Sequence, residues 1–304
     1  MSGLADQRAA LRRRIGTWGA WSFGFAYAPS DEARAAAAAI EAAGYGCLWF
    51  PETPDSREAF VNAGVLLDAT ERLLVATGIA SIWSRDARAT VQAARTLADA
   101  SHDRFVLGLG VSHRPLIEAR GHDYGRPVAT MRDYLEAMTA ADDAVEPGRH
   151  VPTVLAALRP PMLRLAAERS LGAHPYLVTV EHTARAREEL GAGPLLLVEH
   201  KVVIDEDPAS ARARAREEIA WYLEADHYVK NLLWLGFTED DIADGGSDRL
   251  VDALVFHGTA EEVAVQLGAH LDAGADHVAV HPVRDAGDPM GVETLRALAP
   301  LLGL

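Results

Sequence analysis

The chain has 304 residues, 49% of them apolar and 24% charged, with a single Cys. This length and balance describe a globular chain of one large domain or two modest ones, able to bury a core without disulfides or a structural metal. They exclude a disordered, collagenous or disulfide-stapled scaffold. The 29 basic and 44 acidic residues leave a net charge of −15. Such a surface opposes phosphate backbones and anionic membranes, so no nucleic-acid or membrane partner is expected; a small anion held by backbone N–H groups is still allowed.

Cys47 stands alone, which forbids an intramolecular disulfide and fits a reducing cytoplasm. The first residues, Met1 to Arg8, carry an acid and no apolar segment, so no signal peptide is expected. Apolar runs such as 35–40 and 195–198 are too short to span a bilayer.

In chain order, an N-terminal extension (residues 1–14) precedes a strand over 16–23. Ser30 reads as an N-cap and Gly44 as the end of a helix over 31–43. Strands over 47–51 and 74–82 follow. A helix over 87–100 shows an apolar stripe at Val91, Ala94, Leu97 and Ala98. Beyond it come a strand (105–110), a helix with Pro127 in its first turn (127–140) and a strand (153–157). The pattern continues as helix 161–169, strand 176–179, helix 184–190, strand 195–204 and helix 209–223. Residues 226–248 are the least regular stretch and read as a small helical insertion or lid between the seventh and eighth strands. Helix 260–273, strand 278–282 and helix 292–302 complete the series.

Eight strand–helix alternations, several with nearly continuous apolar strands, fit an α/β fold of the (β/α)8 TIM barrel type, with residues 15–304 as one domain. A doubly wound open sheet is the alternative. Its Gly-x-Gly-x-x-Gly turn is missing: the nearest segment, Gly108-Leu109-Gly110-Val111-Ser112-His113, has His at the third glycine position.

In a barrel, chemistry gathers at the C-terminal ends of the strands. Trp18, Trp21, Glu52, Trp83, Ser84, Arg85, Ser112, His113, Arg159, His174, Thr179, Glu181 and His281 fall at or near such ends. His102, Asp103, Arg104 and His277 fall on the opposite rim and read as stability residues. No metal site is expected. There is no Cys pair and no His-Glu-x-x-His, and His277 and His281 lie about 13 Å apart along one strand face. A Ser nucleophile lacks its Gly-x-Ser-x-Gly elbow, and Glu52 has no acidic partner at another strand end. An anion site is better supported. Ser112 and His113 follow glycines that let backbone approach a ligand, and Arg159-Pro160-Pro161 opens a helix whose N-terminus is expected to offer free N–H groups.

Several segments together resemble the luciferase-like monooxygenase superfamily, in its branch of coenzyme F420 (deazaflavin)-dependent oxidoreductases. They are Ala42-Ala43-Gly44-Tyr45-Gly46-Cys47-Leu48-Trp49-Phe50-Pro51-Glu52, Val75 to Trp83, Arg104 to Ser112, Gly121 to Pro127, Leu165 to Arg169 and Leu271 to Val278. The resemblance runs from about residue 15 to 300. It implies the same barrel, F420 or alternatively FMN at the C-terminal mouth, and a homodimer. It places a bulge at the end of the third strand, often with a non-prolyl cis peptide, on Gly78-Ile79. Phosphate contacts map onto Gly110, Val111, Ser112, Arg159, Pro161 and Met162, and the ring onto Trp18, Glu52, Gly78, Ile79, Ala80 and His174.

The implied activity is hydride transfer between F420 and a small organic substrate stacked below Trp18, Trp21 and Trp83. Glu52, His113, His174 and His281 are the candidate proton shuttles; the lesser alternative for Glu52 is to pair with Arg85 or to cap a loop. Tyr124 and Arg126 lie in a loop placed to close over the cofactor. Deazaflavin sugar-phosphate dehydrogenases of this superfamily carry a His after the second strand; here that place reads Glu52-Thr53, which disfavours that activity. The alternatives are an FMN-dependent monooxygenase of the same superfamily and a cofactor-binding barrel without turnover.

Overall fold

The computed structural model describes residues 3–144 and 150–304; Met1 and Ser2 of the N-terminal extension lie outside that range. Eight parallel strands form the barrel: β1 (Trp18–Trp21), β2 (Cys47–Phe50), β3 (Leu74–Thr77), β4 (Phe105–Gly110), β5 (Thr153–Leu155), β6 (Gly172–Ala173), β7 (Leu195–Ile204) and β8 (His277–Pro282). Each pairs with the next, and β8 pairs with both β7 and β1, which closes the sheet. Helices surround it, so the chain is a (β/α)8 barrel.

The period of two along each strand sorts the side chains. Trp21, Trp49, Ala76, Val106, Leu197 and Ala279 fill the barrel interior. Their neighbours Ala20, Leu48, Val75, Leu107, Val198 and Val280 face the helices. The helix Leu4–Ile15 closes the lower end, with Leu11 and Ile15 joining the interior cluster. Arg12 pairs there with Asp276 at 2.9 Å, and Arg8 donates to the carbonyls of Ala167 and Ser170. His277 belongs to this lower rim: its Nδ1–H donates to Gly16 O (2.8 Å) and its Nε2 accepts from Trp49 Nε1–H (3.1 Å). Arg104, also on that rim, donates to the carbonyls of Leu67, Leu73 and Ser101.

The structure corrects several expected boundaries. The sixth strand is Gly172–Ala173 rather than 176–179. A Cβ at Gly172 would overlap the Leu195 backbone, so the close approach to β7 occurs where only Gly fits. The later apolar run cannot be a strand. Leu177 has φ +53, its N–H is bonded to the Glu199 carboxylate, and Thr179 caps the helix Val180–Leu190. The third strand breaks at Gly78-Ile79, whose peptide bond is cis, and resumes as the two-residue strand Ala80–Ser81 beside β4. Ser30 is the first residue of its helix, with Pro29 at the N-cap.

The insertion is larger than expected. It starts at the helix Pro208–Glu224, continues through the helices Asp226–Leu235, Glu239–Ile242 and Asp248–Leu254, and ends in an accessory strand, Val255–Gly258, on the outer half of β7. Its core, including Ile219, Leu232 and Leu250, is separate from that of the barrel. No described helix is long and apolar enough to cross a membrane.

Four fully buried histidines, His174, His182, His270 and His277, have their pKa pushed down to about 4, chiefly by burial. Because the folded value lies below the unfolded one (about 6.5), their neutral form stabilises the fold. That contribution is complete above about pH 6.5 and is lost as pH falls toward 4. Thermal melts followed by circular dichroism should therefore show Tm dropping steadily from pH 7 to pH 4.5, on the order of 1 kcal/mol per pH unit for each group. A flat profile would contradict this.

Candidate functional site

A cavity of about 700 Å³ opens at the C-terminal ends of the strands, between the barrel mouth and the insertion. One wall is the break in β3. Gly78 N–H donates to Phe50 O (2.7 Å) and Ile79 O accepts from Glu52 N–H (3.2 Å), which ties the break to the end of β2. Both Gly78 and Ile79 line the cavity. Gly78 is required by what faces it: a Cβ there would sit 2.5 Å from Trp21 Nε1 and 3.2 Å from His174 Nε2.

Those two ring nitrogens are buried without hydrogen-bond partners among the described residues. The His174 ring stacks on Trp49 (4.1 Å between centroids, 12° between planes), and its Nδ1–H donates to Leu197 O at 2.7 Å. Its Nε2 is therefore a lone pair at neutral pH, set beside the Trp21 Nε1–H donor. Buried polar atoms without partners are uncommon in native folds; here an acceptor and a donor converge on the lining of one cavity.

Glu52 also lines the cavity, but its carboxylate is occupied. Oε1 accepts from Arg85 at 2.6 Å, and Oε2 accepts from Arg85 (3.1 Å) and from Ser81 N–H (2.8 Å). Arg85 additionally pairs with Glu58 and lies over the Phe60 ring. With side-chain exposures of 8% and 13%, Glu52 and Arg85 form a nearly buried fork that braces the β3 break. Of the two roles open to Glu52, the pairing with Arg85 is formed here.

The anion corner lies across the cavity. Ser112 has φ +56, and the N–H groups of Val111, Ser112 and His113 have no partner among the described residues. Gly110, Arg159, Pro161 and Met162 line the same corner. The expected free N–H groups at the start of the helix Pro160–Arg169 are absent, because its first two residues are prolines and Met162 N–H turns back to Arg159 O (3.0 Å). Positive charge there comes from the exposed Arg159 guanidinium, which forms no ion pair or hydrogen bond among the described residues.

Other expected contacts fall elsewhere. Trp18 points away from the barrel interior into the helix layer, because Gly19 and Trp21 take the inward positions of β1. Ala80 is buried in the same outer layer. Trp83 donates to Val111 O (2.9 Å) and stacks on Tyr124 (26° between planes), so it braces the loop after β4 from behind. Tyr124, whose hydroxyl donates to Ser112 O (3.0 Å), lines the cavity; Arg126 is exposed and does not. His281 lies beneath the cavity floor, fully buried, with its ring 4.2 Å from Trp21 and its Nδ1 2.6 Å from Glu199 Oε1. His113 faces the cavity, packed on His227 (4.5 Å) and Trp221 (5.0 Å); burial and the neighbouring His227 push its pKa down to about 3. Among the described residues no group of three or more His, Cys, Asp or Glu is arranged to hold a metal ion.

The wall opposite the β3 break was not anticipated. Phe23 and Tyr176 come from the barrel loops, and Glu218, Trp221, Tyr222 and Tyr228 from the insertion. Two sequence signals pointed there. Glu199 and Lys201 interrupt the apolar run of β7 two residues apart, hence on one face. Glu218 interrupts the buried stripe Ala211, Ala215, Ile219, Tyr222 of a helix. Charges at such positions imply buried partners.

The model of the family described as luciferase-like monooxygenase matches residues 16–277. The chain belongs to that family. Among curated members, the 5,10-methylenetetrahydromethanopterin reductase of Methanolobus tindarius is 24% identical, the match covering 91% of this chain and 97% of that one. A Mycobacterium tuberculosis protein provisionally named coenzyme F420-dependent oxidoreductase is 25% identical over 95% and 98% of the two chains. In fold, the chain resembles an F420-dependent secondary alcohol dehydrogenase in complex with an F420–acetone adduct (TM-score 0.70, 14% identity, 93% and 98% coverage). It also resembles the oxygenating constituent of 3,6-diketocamphane monooxygenase of Pseudomonas putida, solved with FMN (TM-score 0.69, 16% identity, 93% and 96% coverage).

Replacing Glu52 by Gln keeps an acceptor for Ser81 N–H but leaves Arg85 with a single, exposed carboxylate partner, Glu58. Breaking a nearly buried pair of this kind should destabilise the protein by about 2–3 kcal/mol, read as a lower denaturation midpoint in urea. A midpoint unchanged from wild type would show that the fork contributes no net stability.

Proposed function

We propose that the protein is an oxidoreductase that transfers a hydride between coenzyme F420 and a small organic substrate. The observation that carries this reading is the cavity itself: an anion corner at one end, and a converging buried donor and acceptor at Gly78. The reductase and oxidoreductase relatives, matched over nearly their whole lengths, support it. The residues present fit the cofactor. The N–H groups of Val111, Ser112 and His113 together with Arg159 would hold its phosphate. The Gly78-Ile79 backbone would back its ring, and Trp21 Nε1–H with His174 Nε2 would meet polar groups at that end. When bound, the deazaflavin supplies two-electron hydride chemistry; the protein supplies position, a dry wall and a proton. The same resemblance leads us to propose a homodimer, which sedimentation of the purified protein checks.

Titration of the apo-protein with F420 and FMN side by side, followed by quenching of its six Trp, tests the proposal. Micromolar or tighter binding of F420 with FMN much weaker is expected. Preference for FMN would favour the monooxygenase reading, and binding of neither would defeat both.

Two variants sharpen the test. Arg159→Ala should weaken F420 binding by about 10–100-fold, the value of a charge-assisted contact, with Tm unchanged. Gly78→Ala should lose F420 binding, because the added methyl takes the space in front of Trp21 and His174. Retention of wild-type affinity in Gly78→Ala would place the ring elsewhere.

A further inference from the structure

Glu52 is held by Arg85, and the cavity histidines His113 and His174 are kept neutral by burial. Neither these histidines nor His227 is an imidazolium at neutral pH, so the other kind of donor on the cavity wall for reducing a C=O or C=N bond is a hydroxyl. The aromatic wall contains one. Lys201 projects from β7 into the top of the barrel interior and is fully buried. Its Nζ lies 2.8 Å from Tyr176 Oη, 3.0 Å from Glu218 Oε1, 3.1 Å from His281 Nδ1 and 3.8 Å from Glu199 Oε1.

Donor chemistry fixes the direction of this chain. An ammonium only donates, so Tyr176 Oη accepts from Lys201. The Tyr176 proton then points to Tyr222 Oη, 2.8 Å away. Tyr222 accepts it, and its own proton has no acceptor among the described residues. Both tyrosines line the cavity. Burial raises the pKa of both phenols, so each keeps its proton. Behind Lys201, Glu218 also accepts from Arg284, which is largely exposed at the cavity edge and marks a path to solvent.

We propose that Tyr222 is the catalytic proton donor to the substrate heteroatom, with Tyr176 and Lys201 as the positioning relay behind it. The inference rests on the hydride-transfer reading above and deepens it. Bound F420 would supply the hydride to the substrate carbon; as the C=O or C=N π bond breaks, the heteroatom would take the Tyr222 proton and the Tyr222 O–H bond would break. Tyr222 regains a proton from Tyr176 and Tyr176 from Lys201, which is reprotonated from solvent past Glu218. The net change is one hydride and one proton added across the double bond. Trp221 and Tyr228 pack edge-on against Tyr222, and Trp21 packs on Tyr176; this aromatic lining favours a planar, apolar body on the acceptor.

The probe is carbonyl-13C acetophenone, a small aromatic ketone. Its binding is followed by Trp quenching and its C=O stretch by infrared difference spectroscopy, in wild type, Tyr222→Phe and Tyr176→Phe. The stretch should lie lower in wild type than in Tyr222→Phe, with Tyr176→Phe between them because Tyr222 keeps its hydroxyl and loses its polarising partner. Circular dichroism should show all three folded, and F420 affinity should be unchanged. In single turnover with reduced F420, Tyr222→Phe should be slower by about 100-fold or more, the usual value of a general acid. The infrared readout needs no cofactor, so it stands even if F420 binding fails. Equal carbonyl frequencies in wild type and Tyr222→Phe, or no saturable ketone binding, would overturn the proposal.

Discussion

Lys201 is fully buried, and an ammonium in such a place is tolerated only where opposite charges and acceptors surround it. Meeting that demand shapes the top of the barrel. Glu199 comes from the same strand face, His281 from β8, Tyr176 from the loop after β6 and Glu218 from the insertion helix. The ammonium thereby joins three barrel elements to the insertion and holds the aromatic wall at the mouth. Burial raises the Glu199 carboxyl and the Lys201 charge lowers it again; its other oxygen fixes the left-handed turn at Leu177. The turn that hid Tyr176 from sequence reading is thus part of the same network.

The opposite wall obeys a steric rule. The Trp21 indole and the His174 imidazole leave no room for a side chain at Gly78, so only backbone can pass there. The Glu52–Arg85 fork then braces the departing chain through Ser81. The cavity accordingly has two unlike sides. The β3 break and the loops after β4 and β5 present backbone and the Arg159 guanidinium, and behind the break lie the Trp21 and His174 ring nitrogens, which have no hydrogen-bond partner among the described residues. The insertion presents aromatic faces and a hydroxyl.

Much of this was legible in the sequence because it is periodic. Apolar strands alternating with striped helices give the barrel, and Gly110 before Ser112 and Gly78 mark where backbone lines the cavity. Three kinds of feature were not. The inward or outward direction of a residue depends on register: Trp18 falls near a strand end in the sequence, but Gly19 and Trp21 take the inward positions of β1 and leave Trp18 in the helix layer. A strand of two residues at Gly172–Ala173 is set by close approach to β7 rather than by propensity, so the apolar run after it was taken in its place. The insertion wall depends on contacts between distant segments, and only the charges in apolar runs, at Glu199, Lys201 and Glu218, hinted at it. The two prolines after Arg159 were legible, yet they favour helix starts and remove N–H donors at once; the second effect decides.

The division of labour among the polar groups follows from burial. Depriving an imidazole of water disfavours its charged form, so His113 and His174 offer lone pairs rather than protons. The same loss of water favours the neutral form of a phenol, so Tyr176 and Tyr222 keep their hydroxyl protons and weaken as acids; what favours donation is the Lys201 ammonium 2.8 Å from Tyr176 Oη. A buried ammonium behind them orders both hydroxyls in one direction without an exposed acid at the mouth. Residue type alone ranks His and Glu first as shuttles; the fold leaves the two cavity imidazoles neutral and Glu52 paired with Arg85, while the Tyr176 and Tyr222 hydroxyls form a chain from Lys201.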